Sequence, residues 1–108
     1  MILNPTVGYE QRGQRPSIAV SDPAVSADQR FPLIAVVPVT GTVGEGALYP
    51  ELSAGQSGLT KTSYALVDHL CSIDKRRIRR VFGRVDDTEL SAIDQGLELF
   101  LGLGAAPD

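Results

Sequence analysis

The sequence predicts a mainly β fold completed by one C-terminal α-helix: a small barrel or strongly bent sheet with the helix packed on it. Three features predict it. The apolar residues fall in short runs bounded by glycine, proline and small polar residues, and a single stretch near the C-terminus has helical spacing. The chain has 108 residues, 43% hydrophobic and 21% charged, enough for one modest core. One domain is therefore expected over residues 1–108, with no internal repeat.

In chain order, Gly8-Tyr9-Glu10-Gln11-Arg12-Gly13-Gln14-Arg15-Pro16 is a polar loop that feeds the first apolar run. Pro16 opens a strand over residues 17–21, and Ser21-Asp22-Pro23 ends it. Residues 24–30 are small and polar, a loop or a helical turn. Leu33-Ile34-Ala35-Val36-Val37 is a continuous branched run too short for a typical helix, and is the expected central buried strand. Three glycines within residues 41–46 make a mobile loop after it. Residues 48–52 form a weak strand that Pro50 confines to an edge. Residues 63–73 read as one long strand, or as two joined by a bulge. Residues 79–85 form the last strand, with Gly83 at a bulge or a close backbone approach. Asp86-Asp87-Thr88-Glu89 opens the helix with a capping acid and acids in the first turn. Leu90, Ile93, Leu97, Phe100 and Leu101 make its buried face, and Asp94, Gln95 and Glu98 its wet one.

Composition excludes several classes of function. No apolar run approaches the roughly 18 residues that a membrane span requires, and Met1-Ile2-Leu3 runs directly into Asn4-Pro5 without the basic and apolar regions of a secretory signal. A cytoplasmic protein is expected. Cys71 has no second cysteine to bridge, and one Cys with one His cannot assemble a zinc or iron–sulfur site. Neither a metal nor any other cofactor is expected. The net charge of -3 speaks against a polyanionic partner, but its distribution speaks for one. Lys75, Arg76, Arg77, Arg79, Arg80 and Arg84 put six of the ten basic residues into ten positions, while residues 86–108 carry only acidic charges. Phosphate binding follows local potential more than net charge, so the cluster is either a nucleic-acid surface or a solvated basic turn.

The polar loop also has two readings, a solvated turn or an anion site. A guanidinium fixed beside a strand offers phosphate two parallel hydrogen bonds, which makes Arg15 the candidate. Asn4-Pro5-Thr6 followed by Gly8, Glu10, Gln11, Gly13, Arg15 and Pro16 resembles the opening loop of the MazF/PemK toxin family, which reads N/D-P-T-x-G-x-E-Q-x-G-x-R-P. Three further stretches resemble the family in the same order: Val36-Val37-Pro38-Val39-Thr40; Ala65-Leu66-Val67-Asp68 with Ile73-Asp74-Lys75 after it; and Gly83-Arg84-Val85 before the acidic helix. The resemblance covers nearly the whole chain. It implies an SH3-like barrel with a C-terminal helix, acting as a homodimer. It also implies a metal-independent, sequence-selective endoribonuclease that cuts single-stranded RNA, the toxin half of a type II toxin–antitoxin pair, with a cognate antitoxin as partner.

Cutting RNA without a metal requires a base for the 2′-hydroxyl proton, positive charge or donors on the phosphate, and an acid for the departing 5′ oxygen. Arg15 supplies charge, and Thr40, ending the central strand beside the glycine loop, supplies a hydroxyl and a backbone donor. The resemblance implies that these two are the catalytic pair and that Glu10 contributes to activity. Gln11 and Arg12 of the same loop, Lys75, Arg76 and Arg77 of the basic cluster, and Asp68 with His69 are the expected RNA contacts. His69 is the one side chain whose ordinary pKa suits a general base, but relatives usually carry Gln there. Where relatives carry an Ile-Arg-Thr-like run, this chain has Leu70-Cys71-Ser72, which implies an altered cutting preference. Cys71 is read as a packing residue.

The resemblance fails at the N-terminus. Relatives begin with a strand resembling R-G-E-I-W-x-V-D-L before the Asn-Pro-Thr turn, and only Met1-Ile2-Leu3 stands here. The expectation is that Met1 is an internal start, or that an open sheet edge leaves the chain marginally stable. Two other functions fit the same fold: a CcdB-like toxin that binds DNA gyrase without catalysis, and an inactive relic that only titrates antitoxin.

Overall fold

The computed structural model describes residues 6–9, 16–55, 57–78 and 81–103. In order these form β1 (Thr6–Tyr9), β2 (Pro16–Ala19), α1 (Pro23–Ala27), β3 (Leu33–Thr40), β4 (Glu51–Leu52), β5 (Ser63–Ala65), β6 (Cys71–Asp74), β7 (Val81–Arg84) and α2 (Asp87–Leu101), with single 3-10 turns at Val67–His69 and Lys75–Arg77. The strands join in the order β4-β5-β3-β2-β1-β7, and β6 also pairs with β3. The architecture is the expected one, a curled, mainly β sheet with a C-terminal helix.

β3 organises the sheet because it is apolar on both faces. Val37 and Val39 point into the main core with Ile18, Leu52, Leu59, Ala65, Val67, Val85 and Ile93, while Ile34 and Val36 point to the other face and pack with Ile73. Ile18, Leu52 and Ile93 are fully buried, each contributing roughly 1.5–3 kcal/mol of transfer free energy. One edge of β3 pairs with β2, Ser17 opposite Pro38. Its other edge pairs first with β6, from Leu33 to Val36, and then with β5, at Val39 and Thr40.

The apolar run Leu33–Val37 continues as strand through Pro38 to Thr40, the strand end at which Thr40 was expected. Proline is tolerated because it stands where the partner changes from β6 to β5. Its carbonyl accepts from Leu66 N at 2.8 Å, and the missing N–H would have pointed to that same interrupted side.

Other expectations need correction. Residues 63–73 are neither one strand nor a bulged pair. The Val67–His69 turn separates β5 from β6, which pair with different halves of β3. Gly8 and Tyr9, read as loop, belong to β1, which pairs with β2 on one side and β7 on the other.

α2 starts as its sequence dictates. The Asp86 carboxylate accepts from Glu89 N at 2.7 Å, and Glu89 Oε1 accepts from Asp86 N at 3.2 Å, a reciprocal capping box. Ile93 enters the main core, where Leu90 and Leu97 pack against it. Phe100 and Leu101, assigned to the buried face, are exposed, as are Leu99 and Leu103. Mid-helix Gly96 is buried because a Cβ there would stand 2.8 Å from the Ala47 carbonyl oxygen and 3.2 Å from Val67 Cγ2. Among the described residues no helix is long and apolar enough to cross a membrane.

Candidate active site

Thr40 closes β3 opposite Tyr64 of β5 and is half-buried. Its Oγ1 accepts from Thr42 N at 3.1 Å. That bond occupies a lone pair and leaves the hydroxyl proton available for an acceptor outside the turn.

The loop after Thr40 is tied down. Tyr49 packs against Gly44, where a Cβ would meet Tyr49 Cβ at 2.9 Å, and Tyr49 N donates to Gly46 O at 3.0 Å. Gly46 has φ 103°, a left-handed conformation that needs no Cβ. The Tyr49 hydroxyl donates to Asp68 Oδ2 at 2.6 Å, anchoring the loop to the Val67–His69 turn. This hydrogen bond, reinforced by desolvation and by the negative charge of Asp68, raises the pKa of the phenol above its ordinary value. Asp68, an expected RNA contact, is therefore engaged within the fold. His69 is exposed, its Nε2 3.7 Å from the other carboxylate oxygen of Asp68.

Sequence reading missed Lys61. It stands just before β5, and its side chain lies across Gly41, the residue after Thr40. A Cβ at Gly41 would meet Lys61 Cε at 2.5 Å and Nζ at 2.8 Å. Ser63, itself buried, donates from Oγ to the Lys61 carbonyl at 3.0 Å, fixing the backbone from which the lysine projects. The signal was the K-x-S spacing before an apolar strand, which is too short to distinguish from an ordinary turn.

The basic cluster divides. Lys75 Nζ donates to the Val25 and Asp28 carbonyls at 2.8 and 3.0 Å, capping the end of α1 instead of facing solvent. Arg76 Nη2 pairs with Asp74 Oδ2 at 2.9 Å on the surface. The Arg76 side chain and backbone N–H, with the Arg77 charge adding, hold the Asp74 pKa at about 2. Arg84 is exposed on β7. Arg79 and Arg80, and the loop candidates Glu10, Gln11, Arg12 and Arg15, lie outside the described residues. Among the described residues no group of three or more His, Cys, Asp or Glu side chains could hold a metal ion.

The curled sheet with its C-terminal helix defines a class of small, mainly β domains. Comparison with known proteins specifies it further. Residues 1–101 match the model of the PemK-like, MazF-like toxin of type II toxin–antitoxin systems. The chain is 36% identical over 107 residues to Endoribonuclease MazF9 of Mycobacterium tuberculosis, covering 94% of this chain and 89% of that protein. Its fold is similar to the M. tuberculosis toxin MazF-mt6, with TM-score 0.81 and 20% identity, covering 93% of this chain and 99% of the other. It is similar also to a mycobacterial endoribonuclease solved in complex with its cognate antitoxin, with TM-score 0.84 and 20% identity over 98% and 100% of the two chains. The MazE-MazF structure from Deinococcus radiodurans gives TM-score 0.77 at 21% identity, over 96% and 100%. The chain belongs to the PemK-like, MazF-like toxin family.

Proposed function

We propose that this chain is a metal-independent endoribonuclease toxin that cuts single-stranded RNA at a phosphate held between Thr40 and Arg15. The observation that carries the reading is the Thr40 hydroxyl, whose oxygen is loaded by Thr42 N–H while its proton remains available. Arg15 directly precedes Pro16, the first residue of β2, in the sequence. β2 runs antiparallel to β3 with Ser17 opposite Pro38, so β2 begins at the Thr40 end of β3.

The chemistry follows from the substrate. The 2′ oxygen loses its proton and attacks the adjacent phosphorus, the bond to the 5′ oxygen breaks, and that oxygen takes up a proton. The products are a 2′,3′-cyclic phosphate and a 5′-hydroxyl. Charge accumulates on the non-bridging oxygens, where a bidentate guanidinium and a hydroxyl donor stabilise the transition state more than the ground state. Glu10, in the same loop as Arg15, is the proposed base.

Homodimerisation and blockage by a cognate antitoxin belong to the same reading, supported by the MazE-MazF and toxin–antitoxin structures that this fold resembles. Its RNA substrate puts the protein in the cytoplasm. The CcdB-like and relic readings are not favoured, since the 36% identical relative is an endoribonuclease. The test is to incubate purified protein with a long RNA, with and without EDTA, and to map the new ends. Recurrent cuts at one short word, unaffected by the chelator, are expected. Intact RNA, together with inhibition of gyrase, would replace this reading with the CcdB-like one.

A further inference from the structure

We propose that Lys61 is a further catalytic residue, its ammonium contacting a non-bridging oxygen of the scissile phosphate beside the Thr40 hydroxyl. The proposal rests on the Thr40-centred reading above. The side chain lies against the Cα of Gly41, where a Cβ would be only 2.5 Å from Lys61 Cε and 2.8 Å from Nζ. The ammonium therefore lies over Gly41, the residue that follows Thr40. Its backbone is held by the buried Ser63 hydroxyl, and β5 is in register with β3 so that Tyr64 faces Thr40.

Charge accounting points the same way. Among the described residues Lys75 is engaged by two carbonyls, Arg30 by Asp28 and Arg76 by Asp74. Among the described residues Lys61 makes no ion pair with a carboxylate. An ammonium is a compact point charge that meets one phosphate oxygen, whereas a guanidinium spans two. Lys61 thus meets one non-bridging oxygen, and Thr40 supplies the neutral donor. Lys61 transfers no proton in this role, and no bond beyond those of the cleavage step forms or breaks.

The experiment compares wild type with Lys61→Met, Lys61→Arg, Gly41→Ala and Thr40→Val. Single-turnover cleavage is measured at saturating RNA, and binding is measured with the same RNA carrying a 2′-deoxy nucleotide at the cut. Lys61→Met should lose roughly a hundredfold in rate, the usual loss for one transition-state donor, with less than about tenfold change in Kd. Lys61→Arg should recover part of the rate, and Gly41→Ala should fall with Lys61→Met because its Cβ displaces the amine. Circular dichroism and melting curves establish that the variants fold, as an exposed lysine predicts. A Lys61→Met rate within about threefold of wild type, or a loss confined to Kd, would overturn the proposal while an inactive Thr40→Val left the parent reading standing. A wild type that binds RNA without cutting it would remove both.

Discussion

At the scale of single residues, the proposed site makes a claim of geometry more than of charge. If Arg15 grips the phosphate with its planar fork, Arg15→Lys keeps the charge but loses the bidentate contact. A loss of about 3 kcal/mol of transition-state stabilisation, roughly a hundredfold in rate, is then expected at saturating RNA. Near-normal cleavage by Arg15→Lys would remove it from the mechanism. Tyr49 acts one step back, holding the glycine loop through its 2.6 Å bond to Asp68. Tyr49→Phe should lower Tm and reduce the cleavage rate less than Thr40→Val does. Its pH signature separates it from a packing defect. The folded-state pKa of Tyr49 is raised, so its stabilisation is complete below the unfolded value of about 10 and is lost as pH rises through the higher folded value. Thermal melts across that alkaline range should show the loss in wild type and not in Tyr49→Phe. Identical alkaline profiles would mean that the Asp68 bond contributes nothing.

At the scale of elements, some of the fold was legible because local chemistry alone decides it. The Asp86–Glu89 capping box and the β-branched run of β3 are complete within a few residues, and both are where the sequence places them. The long-range choices were not legible. Residues 63–73 split because β5 and β6 pair with different halves of one strand, which no local pattern encodes. Phe100 and Leu101 fit the helical period yet are exposed among the described residues, where Ile93, Leu90 and Leu97 reach the core. Of the site, Thr40 was visible from its place at a strand end. Tyr49 and Lys61 reach it from distant sequence, and Lys75 left the expected surface because α1 presents carbonyls to it. Gly96 tests the helix packing that local rules miss. Gly→Ala inside a helix normally gains about 1 kcal/mol in propensity. Here the new methyl would meet a backbone oxygen at 2.8 Å, and such overpacking costs about 1–3 kcal/mol. The clash should win by about 1 kcal/mol, lowering Tm by roughly 4 to 8 °C. A Gly96→Ala variant that melts higher than wild type would show that α2 can move away from the Val67–His69 turn without loss.

At the scale of the whole molecule, a chain of net charge -3 must bind a polyanion through local positive potential, and the fold makes less of that potential available than residue counting implied. Lys75 is turned inward, and Arg76 shares its charge with Asp74. That surface pair is weak and screened by salt, so phosphate can compete for the guanidinium. For a single strand, each phosphate contact contributes about 0.7 to the slope of log affinity against log salt. Replacing Arg76 and Arg77 by Gln should therefore flatten the slope by about 1.4, while turnover at saturating RNA stays within a few fold. Lys75→Gln should do the reverse, leaving the slope unchanged and lowering Tm, because it removes the cap on α1 and no phosphate contact. Affinity titrations over a range of salt concentrations, paired with melting curves, separate the two effects. A slope unchanged in the double variant would assign Arg76 and Arg77 to solvent or to the antitoxin, and a flattened slope in Lys75→Gln would mean that this lysine leaves α1 to meet RNA.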